Sequence, residues 1–275
     1  MDENIFSKTL TTGCGGMVGS YVNFGVRTDR NSLDITNLAD VLAVCRKYRP
    51  AVIVHLAAET DVDRCDREPD HAYLVNGIGT YHMAVAAKDI NATLVYVSTN
   101  AVFDGTKDGP YVETDEPNPI NAYGRSKYVG ELAVRGMLSD YLIVRIAWAF
   151  GGGPEKDQKF VGKIVRKLDQ PEIAAVDDTK GSPSYGKDVI GGIQELLRRG
   201  ERGIVHLTNA GSATRYDMAS FIGVTLRPSI SVVRTKSDRF PDFPNRSRNE
   251  MLVSRLSIMR PWQDALREYL ETEWK

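Results

Sequence analysis

The stretch "TTGCGGMVGS", residues 11 to 20, is the clearest indication of the fold, because it places three spaced glycines directly after a short apolar run. The run "KTLTTG" (8–13) predicts a first β-strand, and the glycines that follow predict a tight turn into a helix. Gly13 would permit the turn, Gly16 would let the backbone approach a pyrophosphate, and Gly19 would let the helix pack closely on the sheet. A strand, a glycine turn and a helix in this order are typical of a dinucleotide-binding site.

The glycine spacing, G-x-x-G-x-x-G, differs from the G-x-G-x-x-G fingerprint, so a flexible turn is the alternative interpretation. Its position between a strand and a predicted helix favours cofactor binding, with Met17 and Val18 as further contacts within the loop. Asp29 ends a second apolar run, "FGVRTD" (24–29), where an acid would bond the ribose hydroxyls of NAD. The adjacent Arg30 would instead meet the 2′-phosphate of NADP. The two residues leave both cofactors open.

Apolar runs and helical segments alternate through the first half of the chain. Further strands are predicted at "AVIVHLAA" (51–58), "TLVYVST" (93–99) and "YLIVRIAW" (141–148), and helices at 37–48, 71–90 and 120–138. Runs that are apolar on both faces are typical of strands covered by helices on either side. The alternation predicts an α/β fold, a Rossmann-type doubly wound parallel sheet, with residues 1–150 as an NAD(P)-binding domain.

The pattern loosens after about residue 150. Helices are predicted at 159–168, 187–199 and 214–226 and after Pro261, and short strands at 171–176 and 203–209. This second part has too few predicted strands for a sheet of its own. Residues 151–275 therefore predict a small C-terminal α/β substrate-binding region packed over one edge of the first part, with some segments returning to the main sheet.

The bulk composition excludes several classes of function. A formal net charge of −1 gives no field that would attract nucleic acid or an anionic membrane. No apolar run is long enough to cross a bilayer, and the start, "MDENIFSKTL", is acidic where a signal peptide needs basic residues. Cys14, Cys45 and Cys65 lack the spacing of metal ligands and are expected to be reduced thiols, which indicates a cytoplasmic protein without a metal site.

The stretch "NAYGRSKYVGE" (121–131) places Tyr123 and Lys127 one helical turn apart, so both side chains can face one cleft. A nearby ammonium is expected to lower the pKa of a phenol from its usual value near 10. Thr99 ends the strand 93–99, where a parallel sheet binds its ligands. A Y-x-x-x-K spacing occurs often by chance, and a solvated turn is the alternative. A glycine turn, a hydroxyl at a strand end and the Tyr–Lys pair together favour proton transfer beside a nicotinamide.

These residues lie in a chain that resembles the extended short-chain dehydrogenase/reductases, and more narrowly the dTDP-4-dehydrorhamnose reductase family. The resemblance runs through "LDITN" (33–37), 49–76, 94–131 and 143–151, and its most specific part is the "VFDG…YGRSK" block. It implies that the catalytic residues are Thr99, Tyr123 and Lys127. It further implies a cofactor groove lined by Leu56, Ala57, Ala58 and Ser98, with Asp34 and Ile35 near the adenine, and substrate contacts from Thr60, Val62, Asn100 and Ala101. Trp148, at the end of a strand, would stack on the sugar or nucleotide, and a buried core tryptophan is the alternative. Arg246 would clamp a diphosphate, and a solvated charge in a polar loop is the alternative.

The resemblance implies an NAD(P)H-dependent reductase of a nucleotide-linked 4-keto-6-deoxy sugar, expected to form a homodimer. A nucleotide-sugar epimerase of the same superfamily and a non-catalytic NAD(P)-binding regulatory subunit are the alternatives. A dehydratase is disfavoured because Asn100 and Ala101 supply no acid pair after the threonine. The family usually has Asp and Tyr at these two positions. It usually has Ser or Thr where Ala147 stands and Asn where Lys159 stands, so we expect altered sugar recognition.

Overall fold

The computed structural model describes residues 4–239 and 247–275, so the predicted substrate contact Arg246 lies outside the described residues. The strands are β1 (Thr9–Thr12), β2 (Val26–Arg27), β3 (Val52–His55), β4 (Thr93–Thr99), β5 (Tyr141–Ile146), β6 (Ala149–Phe150), β7 (Glu172–Val176), β8 (Lys180–Gly181), β9 (Ser184–Tyr185), β10 (Gly203–His206), β11 (Ala213–Thr214), β12 (Ser231–Thr235) and β13 (Asn249–Glu250). The helices are α1 (Asn4–Ser7), α2 (Leu38–Tyr48), α3 (Val62–Arg67), α4 (Pro69–Ala72), which continues through a π-helical turn (Tyr73–Ile78) into α5 (Gly79–Ile90), α6 (Ala122–Met137), α7 (Gly153–Lys156), α8 (Phe160–Val165), α9 (Gly186–Arg198), α10 (Arg215–Leu226) and α11 (Trp262–Glu273). No helix within these ranges is long and apolar enough to span a bilayer.

A parallel sheet with the strand order β2-β1-β3-β4-β5-β10 forms the centre of the described structure. Strand β1 is flanked by β2 and β3, with Leu10 opposite both Val26 and Ile53. The predicted doubly wound parallel sheet is thus confirmed. The strand order reverses between β1 and β3, and ligands of such sheets bind beyond the carboxyl ends of the strands at this point. The glycine loop after β1 lies at that edge.

Alternate residues of the central strands pack on opposite faces of the sheet, which explains why their sequences are apolar throughout. On one face, Ile53 and Ile143 pack in a cluster with residues of α2, α5 and α6. On the other face, Val54 and Val144 pack with residues of α9 such as Ile193. Burial on both faces therefore fixes the register of the strands.

The predicted helix after the glycine loop is absent from the described structure. Only a three-residue 3₁₀ turn, Gly19–Tyr21, lies between β1 and β2. Gly25 closes this crossover with φ +63, and a Cβ there would lie 2.2 Å from the carbonyl oxygen of Thr9. Phe6 and Phe24, with ring centroids 5.4 Å apart, pack in the cluster on this face of the sheet. The sequence prediction of a helix was wrong because the glycine loop (13–18) and the return to β2 (22–25) leave only three residues between them.

The second part of the chain contains small sheets, contrary to expectation. Strand β12 pairs in parallel with β7, and β8 lies between β11 and β13. The sequence did not predict β12, whose residues are mostly half-buried or exposed and whose pairing partner is distant in the chain. Helices α8, α10 and α11 enclose a separate aromatic and aliphatic cluster that includes Phe150, Tyr185 and Tyr269. Strand β10 pairs with β5 in the main sheet, and helix α9 packs against one face of that sheet.

Candidate active site

The loops after β1 and β3 meet at the point where the strand order reverses. Gly13 has φ +75, and a Cβ there would lie 2.6 Å from the nitrogen of Ala57 and 2.8 Å from the carbonyl carbon of Leu56. The Ala57 N–H donates to the hydroxyl oxygen of Thr12 at 3.2 Å. A side chain at residue 13 would separate the two loops, so glycine is required there. The predicted groove residues Gly13, Leu56 and Ala57 are thus neighbours, with the half-buried Ala58 next in the chain.

His55 stabilises this junction through hydrogen bonds at both ring nitrogens. Its Nδ1 lies 2.8 Å from the Thr12 hydroxyl and its Nε2 lies 3.2 Å from the Thr80 hydroxyl. Because the Thr80 hydroxyl donates to the carbonyl of Asn76, it accepts from Nε2–H. Burial lowers the pKa of His55 to about 3, so the ring stays neutral and keeps this hydrogen-bond pattern.

The glycine loop fits the pyrophosphate of a dinucleotide. Gly15 and Gly16 are exposed, so the backbone at the tip of the loop is open to a ligand. The Gly16 N–H donates to the carbonyl oxygen of Gly13 at 3.0 Å. The Gly15 N–H, in contrast, has no hydrogen-bond acceptor among residues 4–239 and 247–275. Met17 and Val18 are half-buried behind the tip. Gly19 packs so closely that a Cβ would lie 2.2 Å from the carbonyl oxygen of Gly13.

Asp29 lies beside the glycine loop. A Cβ at Gly15 would lie 3.5 Å from the Cβ of Asp29. The Asp29 carboxylate accepts hydrogen bonds from the backbone N–H of Asn31 and from the hydroxyl of Ser32. The hydroxyl of Ser32 is the main cause of a lowered pKa for this carboxyl, which keeps it charged. Arg30 is exposed next to it. The geometry therefore brings the Asp29 side chain close to the tip of the loop.

Asp34 and Ile35 lie further along the same edge. Asp34 is exposed and accepts from the Thr36 hydroxyl at 2.7 Å, which lowers the pKa of its carboxyl. Ile35 is buried, and a Cβ at Gly79 would lie 2.9 Å from its Cδ1. The Ile35 side chain therefore packs against the start of α5, and its backbone carbonyl contacts His82 at 3.0 Å. A cofactor base would meet the main chain here rather than the Ile35 side chain.

The predicted catalytic residues converge at the start of α6. Asn121 caps this helix by accepting from the Gly124 N–H at 2.8 Å. A Cβ at Gly124 would lie 2.0 Å from the carbonyl oxygen of Ala101, so the helix begins directly on the turn that follows β4. Thr99 caps that turn by accepting from the Ala101 N–H at 3.1 Å. The Thr99 hydroxyl donates to the side-chain oxygen of Asn100 at 3.3 Å, and it lies close enough to the phenol of Tyr123 to act on its pKa as a hydrogen-bonding neighbour.

The phenol of Tyr123 differs from the sequence expectation in its acidity. Burial raises its pKa to about 12, and the neighbouring Thr99 hydroxyl offsets only part of this. The expected lowering by Lys127 was wrong because the ammonium is directed elsewhere. It donates to the carbonyl of Val97 at 2.8 Å and lies 4.2 Å from the centre of the Tyr96 ring. Tyr123 is therefore protonated at neutral pH and can donate a proton to a substrate oxygen.

Lys127 is only 3 % exposed, and this burial lowers its pKa to about 7, although the charge of Glu131 acts in the opposite direction. Glu131 is one helical turn further along α6 and binds Arg145 of β5 through two hydrogen bonds, at 2.9 Å and 2.7 Å. The Ser98 hydroxyl donates to the same carboxylate at 2.6 Å. The Ser98 side chain therefore lies in this buried network behind the groove.

The ion pair of Glu131 with Arg145 was not predicted from the sequence. Its signals were an acid four residues after Lys127 and a single arginine in the otherwise apolar run "YLIVRIAW" (141–148). Charged side chains this deeply buried are rare unless they are paired. The network fixes α6 against the strands that carry the catalytic residues.

The loop after β3 holds the predicted substrate contacts Thr60 and Val62. The Asn76 amide is hydrogen-bonded to both the N–H and the carbonyl of Glu59, at 2.9 Å and 3.1 Å, and so holds this loop in place. The exposed Thr60 accepts at its carbonyl from the Lys159 ammonium at 2.9 Å, and Val62 begins α3. The lysine that stands in place of the family's asparagine thus reaches the predicted substrate loop.

Asn100 is buried beside Thr99, and Ala101 is half-buried on the same turn. Trp148, after β5, has the unusual value φ +38, and its ring covers Gly181 of β8. The indole N–H donates to Glu250, and the guanidinium of Arg215 lies 3.6 Å from the centre of the Trp148 ring. The tryptophan is therefore held in a stack between elements of the second part, at the carboxyl end of β5.

Comparison with known proteins agrees with this geometry. The family model described as the RmlD substrate binding domain matches residues 7–274. A dTDP-4-keto-6-deoxy-D-glucose reductase from Streptomyces niveus is 37 % identical over 94 % of this chain and 95 % of its own length. The crystal structure of a dTDP-4-dehydrorhamnose reductase from Clostridium acetobutylicum superimposes with a TM-score of 0.92, with 31 % identity over 97 % of this chain and 99 % of the other.

The dTDP-4-dehydrorhamnose reductase of Bacillus anthracis, solved in complex with NADP, superimposes with a TM-score of 0.89, at 32 % identity over 96 % of this chain and 99 % of the other. The predicted resemblance is confirmed by the match of the family model over nearly the whole length and by these relatives. The protein therefore belongs to the RmlD substrate-binding-domain family, within the Rossmann-type short-chain dehydrogenase/reductases.

Proposed function

We propose that this protein reduces the 4-keto group of a dTDP-linked 4-keto-6-deoxy sugar with a reduced nicotinamide dinucleotide. The predicted oxidoreductase class is confirmed by the family, whose similar members are named as reductases of such sugars. The observation that carries the proposal is that α6, with Tyr123 in its first turn, begins directly on the turn capped by Thr99, at the carboxyl edge of the sheet where the glycine loop also lies.

Tyr123 is the proposed acid. Its phenol donates a proton to the oxygen of the ketone as that oxygen gains negative charge, and the Thr99 hydroxyl orients the same oxygen. Lys127 lies one turn behind the phenol on α6, where the carbonyl of Val97 holds its side chain. A bound reduced nicotinamide supplies the hydride for the carbonyl carbon.

The cofactor is NADP or NAD, and the complex of the Bacillus anthracis relative with NADP supports the former. Gly13, Gly16 and Gly19 would shape the loop for the pyrophosphate, and Asp29 would lie at the adenosine ribose. We assign the dinucleotide mainly to residues 1–150 and the sugar mainly to residues 151–275. The changes at Ala101 and Lys159 indicate a sugar environment that differs from that of the reductases of dTDP-4-dehydrorhamnose.

A direct assay tests the proposal. The purified protein is mixed with NADPH or NADH and, in turn, with dTDP-4-keto-6-deoxy-D-glucose and dTDP-4-dehydrorhamnose. We expect loss of the reduced-nicotinamide absorbance in proportion to the sugar consumed with at least one of them. An epimerase would change the stereochemistry of the sugar without net consumption of cofactor, and a regulatory subunit would bind cofactor without turnover. Either of these results would overturn the reductase assignment.

We further propose that the protein is a homodimer. Five large apolar side chains are 38–47 % exposed on the segment that leads into α5 and on α6: Leu74, Ile78, Tyr81, Val129 and Leu132. The two segments are adjacent, because a Cβ at Gly77 would lie 3.1 Å from Cγ1 of Val129. A continuous apolar helix face of this kind suits a symmetric contact with a second copy.

We expect Leu132→Glu to convert a dimer into a monomer, because each copy of the interface would then bury an unpaired carboxylate. Sedimentation velocity at high micromolar concentration measures the change, and Glu271→Gln on α11 is a matched surface control. A wild-type protein that sediments as a monomer under these conditions would exclude the dimer.

We also propose a cytoplasmic location, because Cys14, Cys45 and Cys65 are buried free thiols.

A further inference from the structure

The short crossover after the glycine loop removes a feature on which dinucleotide sites usually depend. A helix that begins at the loop presents its free N–H groups and the positive end of its dipole to the pyrophosphate. In this protein the loop is followed only by the 3₁₀ turn Gly19–Tyr21. Three residues align too few peptide dipoles to replace a helix, so the pyrophosphate needs positive charge from another part of the chain.

Residues 151–156, which we call the strap, lie directly on the glycine loop. A Cβ at Gly152 would lie 3.3 Å from Cα of Met17, and the Gly152 N–H donates to the Tyr21 hydroxyl at 2.6 Å. That hydroxyl in turn donates to Glu273 of α11 at 2.6 Å. The strap is therefore fixed both to the loop beneath it and to the C-terminal helix.

The end of the strap is anchored as well. Asp157, which follows it, is fully buried and accepts a hydrogen bond from the Tyr269 hydroxyl at 3.0 Å. Lys156 ends α7 immediately before this anchor. Its ammonium donates to the carbonyl oxygen of Gly15 at 2.9 Å, at the exposed tip of the glycine loop. Among residues 4–239 and 247–275, no carboxylate forms an ion pair with this ammonium.

We propose that Lys156 binds the pyrophosphate of the dinucleotide and takes the place of the positive helix end that the short crossover lacks. The inference rests on the proposed function, which requires a dinucleotide at this loop. The ammonium already lies at the residue whose N–H is open to a ligand, and it needs only to turn from the Gly15 carbonyl to a phosphate oxygen. As a point charge on a flexible stem, a lysine suits this role.

The test measures cofactor binding directly, by the fluorescence of NADPH on titration with each protein. We expect Lys156→Met to weaken binding on the order of 10-fold to 100-fold, because one ionic contact to the pyrophosphate is lost. The affinity of the variant should also depend less steeply on salt concentration than that of the wild type. Lys156→Arg keeps the charge and should retain most of the affinity.

Lys88→Met is the matched control, since this exposed lysine near the end of α5 lies at the opposite edge of the sheet and its loss should leave affinity and salt dependence unchanged. Equal NADPH affinity for Lys156→Met and wild type would overturn the role of Lys156 and leave the reductase assignment intact. Failure of the wild type to bind either NADPH or NADH would instead overturn the proposed function.

Discussion

Replacement of Tyr123 by phenylalanine is expected to lower kcat for ketone reduction by a factor of about 10² to 10⁴, the usual contribution of a positioned proton donor. The ring and its contacts with the start of α6 remain, and only the hydroxyl is removed. Because the raised pKa of about 12 keeps this phenol protonated at neutral pH, the variant loses the donor itself rather than a minor ionised form. Steady-state turnover with a saturating keto-sugar measures the loss.

Two further measurements separate catalysis from folding and from cofactor binding. NADPH affinity, followed by fluorescence, should change little in Tyr123→Phe. Tyr141→Phe removes a hydroxyl at the start of β5, at the opposite edge of the sheet, and should keep wild-type turnover. Full turnover by Tyr123→Phe, with unchanged cofactor affinity, would show that another group delivers the proton and would end the assignment of Tyr123.

The second large effect is expected on stability, from Arg145→Met. Arg145 is 1 % exposed and Glu131 is fully buried. The Glu131 carboxylate accepts two hydrogen bonds from Arg145 and one from the Ser98 hydroxyl. Methionine in place of the arginine leaves the carboxylate buried without its partner, which typically costs about 3–5 kcal/mol of unfolding free energy. Urea unfolding followed by circular dichroism measures the difference from wild type.

Arg46→Met is the matched control for this substitution. Arg46 pairs with Asp89 at 2.8 Å, but the arginine side chain is 60 % exposed, and the loss of such a surface pair costs at most about 1 kcal/mol. The double variant Glu131→Gln, Arg145→Met removes the stranded charge and should recover part of the lost stability. If Arg145→Met were as stable as Arg46→Met, the buried pair would not fix α6 to the sheet.

The sheet could be predicted from the sequence because the apolar pattern of a buried strand lies within a few consecutive residues. "AVIVHL" and "TLVYVS" are apolar on both faces, and a strand with both faces buried needs this pattern wherever it lies in the sheet. The same holds for Tyr123 and Lys127, since spacing on one helix is set by the helix itself. Strand order then brings Thr99 to the same edge, because the carboxyl ends of parallel strands coincide.

The tertiary structure decided what depends on residues far apart in the chain. No local pattern shows that Lys156 reaches Gly15, or that Arg145 meets Glu131, since these contacts arise only when the strands and helices pack. Packing also set the acidity of the site, because the burial that raises the pKa of Tyr123 and lowers that of Lys127 is a property of the folded environment. The glycine motif predicted a helix, but the length of the crossover to β2 left space only for a turn. Local sequence patterns are therefore enough to predict the sheet and the types of catalytic residue. The charge states of Tyr123 and Lys127, and the position of the Lys156 ammonium at the glycine loop, follow only from the folded structure, because electrostatic energies depend on distance and burial in three dimensions.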